Sequence, residues 1–409
     1  MKILWLCNIV LPRFAKKLNE PKRNTGGWLT GILGALESTP NTEIAIAFPT
    51  SKDINDVVDG IRCFGFCNPS VDLFEKYIKD FQPDIIHVFG TESFHSNCML
   101  KAAKNTGVLE HTVVSIQGLI YIYAKHYTGY MIEKYVKGTS LKDLITGNIA
   151  RQQKKFFQRG EIEKETIQMA KHIIGRTEWD KACVRRINME AEYHFCNEIL
   201  RPFFYEKAGS WDIDQCERHS IFVSQYGYPI KGFHLMLEAL EDIVKEYPDC
   251  KLYTTGNDLF HLSSKEKLIE SAYNKYLRKI IINKHLVNNV VFLGSLSEEE
   301  MCNQFLRSNV FVCCSSIENS PNSLGEAMLL GTPCVTSDVG GVKDMLRDKE
   351  EGYIYPADEP YMCAYYIMKI FNDDAITKRF SVNASNHAQK THSVDVNNRT
   401  LLSIYNSIR

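Results

Sequence analysis

The stretch Val310–Met345, VFVCCSSIENSPNSLGEAMLLGTPCVTSDVGGVKDM, decides the fold of this chain. Val310 to Cys314 is a short apolar run and predicts a buried strand. A polar loop follows, and Ser320-Pro321 opens a helix, with Ser as N-cap and Pro at the first helical position. That helix carries Leu324, Ala327, Met328 and Leu330 on its apolar side and stops at Gly331. A second buried strand, Pro333 to Thr336, precedes a Gly340-Gly341 turn into another helix. Strand, helix and strand in this order belong to a parallel α/β sheet.

Two carboxylates frame the loop, Glu318 before the cap and Glu326 inside the helix. Between them the backbone N–H groups of Asn322, Ser323 and Leu324 are expected to point out of the helix N-terminus, an anion site by construction. A phosphate on the amides, with carboxylates on either side to accept from hydroxyls, describes a sugar nucleotide.

Outward from this stretch the alternation continues in both directions. Residues 2–9 predict a first strand, and a basic loop leads to Gly26-Gly27-Trp28 at the start of a helix to about Leu36. Apolar runs at Ile44–Phe48, Ile61–Phe66, Ile85–Phe89 and Thr112–Ile116 read as strands, separated by helices such as Val71–Phe81 and Phe94–Lys104. A longer helical region spans Tyr127–Ala170, followed by a strand at His172–Gly175. The pattern lapses at AGSWDIDQCERH, then resumes with strands at Ile221–Ser224, Lys251–Thr255 and Val290–Leu293 and helices at Phe233–Tyr247 and Lys265–Lys284. Ser297-Glu298-Glu299-Glu300 is a capping box. The expected domains are 1–205, a linker at 206–219, a second Rossmann-like domain at 220–385, and a helical tail at 386–409 that packs back on the first domain. The fold class is α/β, two Rossmann-like domains with parallel sheets and helices on both faces.

Composition sets the bounds. A chain of 409 residues is long for one core, which agrees with two domains. With 48 Lys plus Arg against 49 Asp plus Glu, net charge gives no argument for nucleic acid. The 13 cysteines are odd in number and scattered; Cys63 and Cys67 find no second pair or His cluster to complete a zinc site. Reduced thiols and a cytoplasmic location are expected. No segment approaches 18 uninterrupted apolar residues, so no bilayer span is predicted.

The Glu318-x7-Glu326 pair on a strand–loop–helix, with Gly331-Thr332-Pro333 and Gly340-Gly341 downstream, resembles the retaining nucleotide-sugar glycosyltransferases of the GT-B fold. The group it resembles is glycosyltransferase family four, the glycosyl transferases group 1. Pro229-Ile230-Lys231-Gly232 and Gly26-Gly27 support the resemblance. It implies two facing Rossmann-like domains and transfer from a nucleoside diphosphate sugar, UDP-sugar favoured, to a glycan or lipid-linked acceptor, with no metal and no cofactor. In that scheme Glu326 takes the ribose hydroxyls, Glu318 faces the transferred sugar, and Lys231 with the Asn322–Leu324 amides holds the diphosphate. Gly26 and Gly27 let backbone approach the donor from the opposite domain. Two positions depart from the family. Gln225 stands where an Arg is usual, and a charge-assisted bond is worth roughly 1.5–3 kcal/mol against about 1 for a neutral one. Gln117-Gly118 replaces the His-Gly or His-Asp pair that commonly faces the sugar. A catalytically silent relative that binds nucleotide or glycan as a subunit is the alternative these two residues raise.

On the acceptor side, His87, Glu92, His95 and Gln117 follow or end first-domain strands, where α/β sites gather. A dinucleotide reading of Gly26-Gly27 fails because the spacing is not G-x-G-x-x-G and Pro49-Thr50 stands where an acidic ribose ligand is wanted. Asp212-x-Asp214 follows no buried strand and suggests no metal. Arg13, Lys16, Lys17, Lys22 and Arg23, and Arg151, Lys154, Lys155 and Arg159 around Phe156-Phe157, interleave basic with aromatic residues. Such clusters allow a peripheral contact with an anionic membrane face.

Overall fold

The computed structural model describes residues 1–21, 26–263, 266 and 269–409. Lys22, Arg23 and Lys265 of the sequence reading lie outside them. The chain divides into two compact units. Unit one comprises Met1–Ile122, Phe157–Arg201 and His392–Arg409; unit two comprises Tyr123–Phe156 and Pro202–Thr391. This differs from the boundaries drawn on composition. Tyr123–Phe156 belongs with the second unit, there is no free-standing linker at 206–219, and the segment that completes unit one begins at His392. Composition marks where a pattern lapses, whereas the contacts depend on where side chains find partners. Trp211, inside the supposed linker, is buried and donates its indole N–H to the Ser308 carbonyl at 2.8 Å.

Unit one is built on eight strands: β1 (Lys2–Leu6), β2 (Glu43–Pro49), β3 (Ile54–Val58), β4 (Ile61–Phe66), β5 (Ile85–Phe89), β6 (Thr112–Ser115), β7 (His172–Gly175) and β8 (Glu192–Phe195). Their order is β3-β4-β2-β1-β5-β6-β7-β8. All neighbours are parallel except β3, which pairs antiparallel with β4. The β3–β4 turn is Asp59-Gly60 with positive φ at both residues, the hairpin signature that matches strand twist. Asn55 and Asp56 hide β3 in the sequence: both are polar and exposed on this edge strand. The central β1 is buried on both faces, with Ile3, Leu4, Trp5 and Leu6 fully covered, as a sandwiched parallel strand must be.

The helix Val71–Phe81 illustrates how these layers are covered. Ser70 caps it by accepting from the Leu73 N–H, and Phe74, Tyr77, Ile78 and Phe81 form its buried stripe. That spacing is one face of a 3.6-residue period. Residues 392–409 add the helix Val394–Ile408, which buries Leu401, Ile404, Tyr405 and Ile408. Tyr405 meets His87 of β5 at 2.6 Å and Trp5 of β1 at 3.3 Å.

Unit two holds six parallel strands: β9 (Glu217–Val223), β10 (Lys251–Thr254), β11 (Val290–Phe292), β12 (Ser308–Cys313), β13 (Cys334–Ser337) and β14 (Gly352–Tyr355). The order β11-β10-β9-β12-β13-β14 puts β9 and β12 side by side at its centre. Loops after the carboxyl ends of these two strands are where an open α/β sheet places ligands. Within the helix expected over Lys265–Lys284, the described residues include the helix Ala272–Asn283, which Ser271 caps by accepting from the Asn274 N–H. No helix among the described residues is long and apolar enough to cross a membrane.

Candidate donor site in unit two

β9 ends at Val223 and β12 at Cys313, and the loops that follow converge on one hollow. Gln225, Lys231, Ser315, Glu318 and Ser323 line it. Pro229–Lys231 forms a short 3-10 turn that Gly232 closes with a φ of +68°. A Cβ on Gly232 would lie 1.8 Å from the Cys314 carbonyl oxygen, so only glycine brings this turn against the end of β12. The Ser316 N–H then donates to the Ile230 carbonyl at 2.8 Å. This clamp delivers Lys231 to Glu318.

Lys231 Nζ donates to Glu318 Oε1 at 2.6 Å, and the Ser315 hydroxyl donates to the same oxygen at 2.7 Å. The ammonium side chain is 17% exposed and the carboxylate 9%. Burial works against the charged lysine, but Glu318 in front of it more than offsets this and raises the Lys231 pKa. The cation is therefore fixed in its charged form. The backbone of Glu318 is set by Gly340-Gly341. Gly341 N–H donates to the Glu318 carbonyl at 3.1 Å, and a Cβ on Gly340 would sit 1.8 Å from that oxygen. Next along, the Asn319 N–H donates to the Tyr123 hydroxyl at 2.9 Å, and the Ser316 hydroxyl donates to the His126 carbonyl at 2.9 Å.

The helix spans Asn322–Leu330, with Pro321 as N-cap and no side-chain cap. Ser320 is thus not the cap, because the extended Pro321 already takes that position. The Leu324 N–H donates to the Pro321 carbonyl at 2.9 Å. The expected trio of outward amides loses Leu324 to this bond, and the first-turn donors of the site are those of Asn322 and Ser323. Glu326 lies a turn further in and is buried.

Unit one carries the remaining residues. Gly26 caps the helix Gly27–Glu37 with φ +80°, where a Cβ would strike the Ile9 side chain at 1.8 Å; a Cβ on Gly27 would meet the Arg201 side chain at 2.7 Å. The left-handed backbone at Gly26 favours glycine there whatever the space around it. A hollow at the ends of β5 and β6 is lined by Trp28, His87, Phe89, Gln117, Cys196 and Glu198. Beneath it lies an ion pair that sequence reasoning missed. Arg176 meets Glu198 at 2.5 Å and donates to the Ile116 carbonyl at 2.9 Å. No local motif announces it, since the partners are 22 residues apart on separate strand ends.

His87 is buried, with Nδ1 on Tyr405 and Nε2 on Ser115, both at 2.6 Å. Burial pushes its pKa down to about 3. Both nitrogens are occupied, and the Tyr405 bond ties β5 to the 392–409 segment. Glu92 and His95 do not line the Gln117 hollow. Burial raises the Glu92 carboxyl, which Arg159 and Asn8 offset only in part, and lowers His95 to about 4. Of the first basic loop, Arg13 pairs with Glu37 and Asp59 at 2.7 and 3.1 Å, and Lys17 pairs with Asp59, so these cations are neutralised within the unit.

Residues 206–387 match the family model described as Glycosyl transferases group 1. A curated relative, the phosphatidyl-myo-inositol mannosyltransferase of Mycobacterium leprae, is 25% identical over 190 residues, 46% of this chain and 46% of that protein. The matched region spans somewhat under half the length of the curated relatives. Solved structures align along the whole chain. The sucrose-phosphate synthase of Thermosynechococcus elongatus superposes with a TM-score of 0.70 at 14% identity, covering 100% of this chain and 99% of that one. Anabaena Alr3699/HepE in complex with UDP superposes with a TM-score of 0.68 at 16% identity, covering 100% of both.

Proposed function

We propose, from the premise that residues 206–387 are a group 1 glycosyl transferase domain within a GT-B chain of two Rossmann-like units, that this protein transfers a sugar from a nucleoside diphosphate sugar. The observation that carries the reading is the Lys231–Glu318 pair at 2.6 Å in a hollow shared with Gln225 and Ser323. Lys231 and the Asn322 and Ser323 amides bind the diphosphate, and Glu326 takes the ribose hydroxyls. Glu318 Oε1 is engaged by Lys231 and Ser315, which turns Oε2 to a hydroxyl of the transferred sugar. As the glycosidic C–O bond breaks, negative charge grows on the leaving phosphate, where a fixed ammonium and amides stabilise it most. The anomeric carbon becomes oxocarbenium-like beside the Glu318 carboxylate. The departing phosphate takes the acceptor hydroxyl's proton on the face it leaves, so configuration is retained. The donor charge is met by protein groups in this scheme, and the transfer step uses no metal. Uridine is favoured as the base because HepE, a structural relative, holds UDP.

The acceptor class is a glycan or a lipid-linked glycan. The mycobacterial relative is named for a phospholipid acceptor, and this chain carries a matching surface. The short helix Leu141–Thr146 is fixed by its Ser140–Asp143 capping box, and Asp143 also accepts from the Ala272 N–H at 3.0 Å. Leu141, Leu144 and Ile145 on it are 59%, 65% and 86% exposed. An apolar helix face held outward beside lysines suits an anionic membrane. Sedimentation with anionic vesicles is expected to fall on Leu144→Ser/Ile145→Ser; unchanged binding removes the membrane from the reading.

The transfer reading is tested with Glu318→Gln, which keeps size and the Ser315 contact. Turnover on a UDP-sugar is expected to drop by roughly 10²–10³, the scale of losing one preorganised stabilising group; wild-type turnover removes Glu318 from the step. Gln225, a neutral group beside Lys231, favours as second reading a silent nucleotide-binding subunit. Donor hydrolysis without acceptor separates the two, because an active transferase leaks to water and a binding subunit leaves the donor intact.

A further inference from the structure

The register of β7 and β8 places three metal-ligating side chains on one face of the sheet of unit one. His172 pairs with Glu192 and Ile174 pairs with His194. Glu192 and His194 are two apart on a strand and point the same way. His172 Nδ1 lies 3.2 Å from His194 Nε2 and 3.3 Å from Glu192 Oε2, and all three ligand atoms lie within 4.8 Å of one another. Hydrogen bonding accounts poorly for this convergence. One ring nitrogen offers a single N–H or a single lone pair, yet here it faces an imidazole nitrogen and a carboxylate oxygen at nearly equal range. For metal–ligand bonds of about 2.0–2.1 Å, the edge of a tetrahedron is about 3.3 Å. Two of the three separations already match that edge.

We propose that His172, Glu192 and His194 bind a divalent first-row transition ion, zinc in particular, with solvent as the fourth ligand. Two imidazoles with one carboxylate form a borderline donor set suited to that class. The site lies where β7 and β8 begin, at the opposite end of the sheet from Gln117, which follows β6. It is therefore structural and independent of the transfer reading. β8 is the last strand of the sheet, held on one side only by β7. An ion shared between the two strands cross-links this edge and closes the loop that contains the helix Glu178–Ile187.

The full-length protein, stripped with a chelator, is titrated with Zn²⁺ alone by calorimetry and with Co²⁺ by absorption spectroscopy. One equivalent of tight binding is expected, with a cobalt spectrum of nitrogen and oxygen ligands and no sulfur-to-cobalt charge-transfer band. His194→Ala and the exposed Glu192→Gln are each expected to weaken binding at least roughly tenfold. Glu192 is 65% exposed, so its replacement leaves the fold intact even where a histidine variant does not. Zinc should slow amide exchange across Glu192–Phe195 in the wild type and in neither variant. A sulfur band, no binding, or affinity unchanged in Glu192→Gln overturns the proposal.

Discussion

At the scale of the residue, Lys231 faces an anion of its own chain, Glu318. Glu318 neutralises it, and in the proposed function the donor diphosphate competes for the same ammonium. The carboxylate therefore costs affinity for the anion while holding the lysine charged and in place. Glu318→Gln should separate these effects: UDP binds several-fold tighter by calorimetry even as turnover falls. Gln225 gives the complementary expectation. It lines the same hollow, so Gln225→Arg exchanges a neutral donor for a charged one. The difference between the two bond types, about 0.5–2 kcal/mol, corresponds to UDP binding about 2–30-fold tighter. Calorimetry that finds weaker binding would show that Gln225 does not face the phosphates.

At the scale of the element, the loop after β12 is shaped by glycines remote in sequence. Gly340 sits at φ +52° with its missing Cβ 1.8 Å from the Glu318 carbonyl. Gly340→Ala should push the Glu318 backbone away and lower stability by roughly 1–3 kcal/mol, with turnover lost more than the melting temperature suggests. A thermal melt beside a transfer assay reads both, and unaltered activity in a folded variant would detach Gly340 from the site. This element is legible in the sequence. Two apolar runs, a Pro, a terminal Gly and two spaced glutamates agree on strand–loop–helix, and the structure joins Glu318, Lys231, Gln225 and Ser323 around it. The missed features share a physical cause. Ser320 lost the cap to its neighbour because cap position depends on backbone angles that composition does not reveal. The Arg176–Glu198 pair and the Tyr123–Asn319 contact join distant segments, which no local pattern records. The β3 hairpin is readable from Asp59-Gly60, yet the exposed polar Asn55 and Asp56 break the apolar run that usually signals a strand.

At the scale of the whole molecule, buried neutral histidines make folding sensitive to acid, while Glu163, raised to about 7 by burial, works in the opposite direction. Burial lowers His87 to about 3 and His95 to about 4 in unit one, and His234 to about 4 in unit two. Each titrates near 6.5 when unfolded. Between those values the unfolded chain binds more protons, so the stability they contribute is full above pH 6.5 and lost as pH falls towards 3–4. Melting temperature should decline below about pH 6.5, and His87→Gln should flatten part of that slope; a slope unchanged would clear His87. Removal of residues 392–409 strips Leu401, Ile404, Tyr405 and Ile408 from unit one. At roughly 1.5–3 kcal/mol each, this loss rivals the 5–15 kcal/mol stability of a typical domain. Hydrogen exchange should then show β1 and β5 open while β9 and β12 stay protected. The same returning helix sets the order of events on the ribosome. Unit two has all its parts once residue 391 is made, but the first-synthesised unit waits for Tyr405. At 5–20 residues per second, the roughly 200 residues after Arg201 take about 10–40 s. For that interval the amino-terminal strands stand without their last covering helix, which makes nascent unit one a client for chaperones and its partner unit the first to fold.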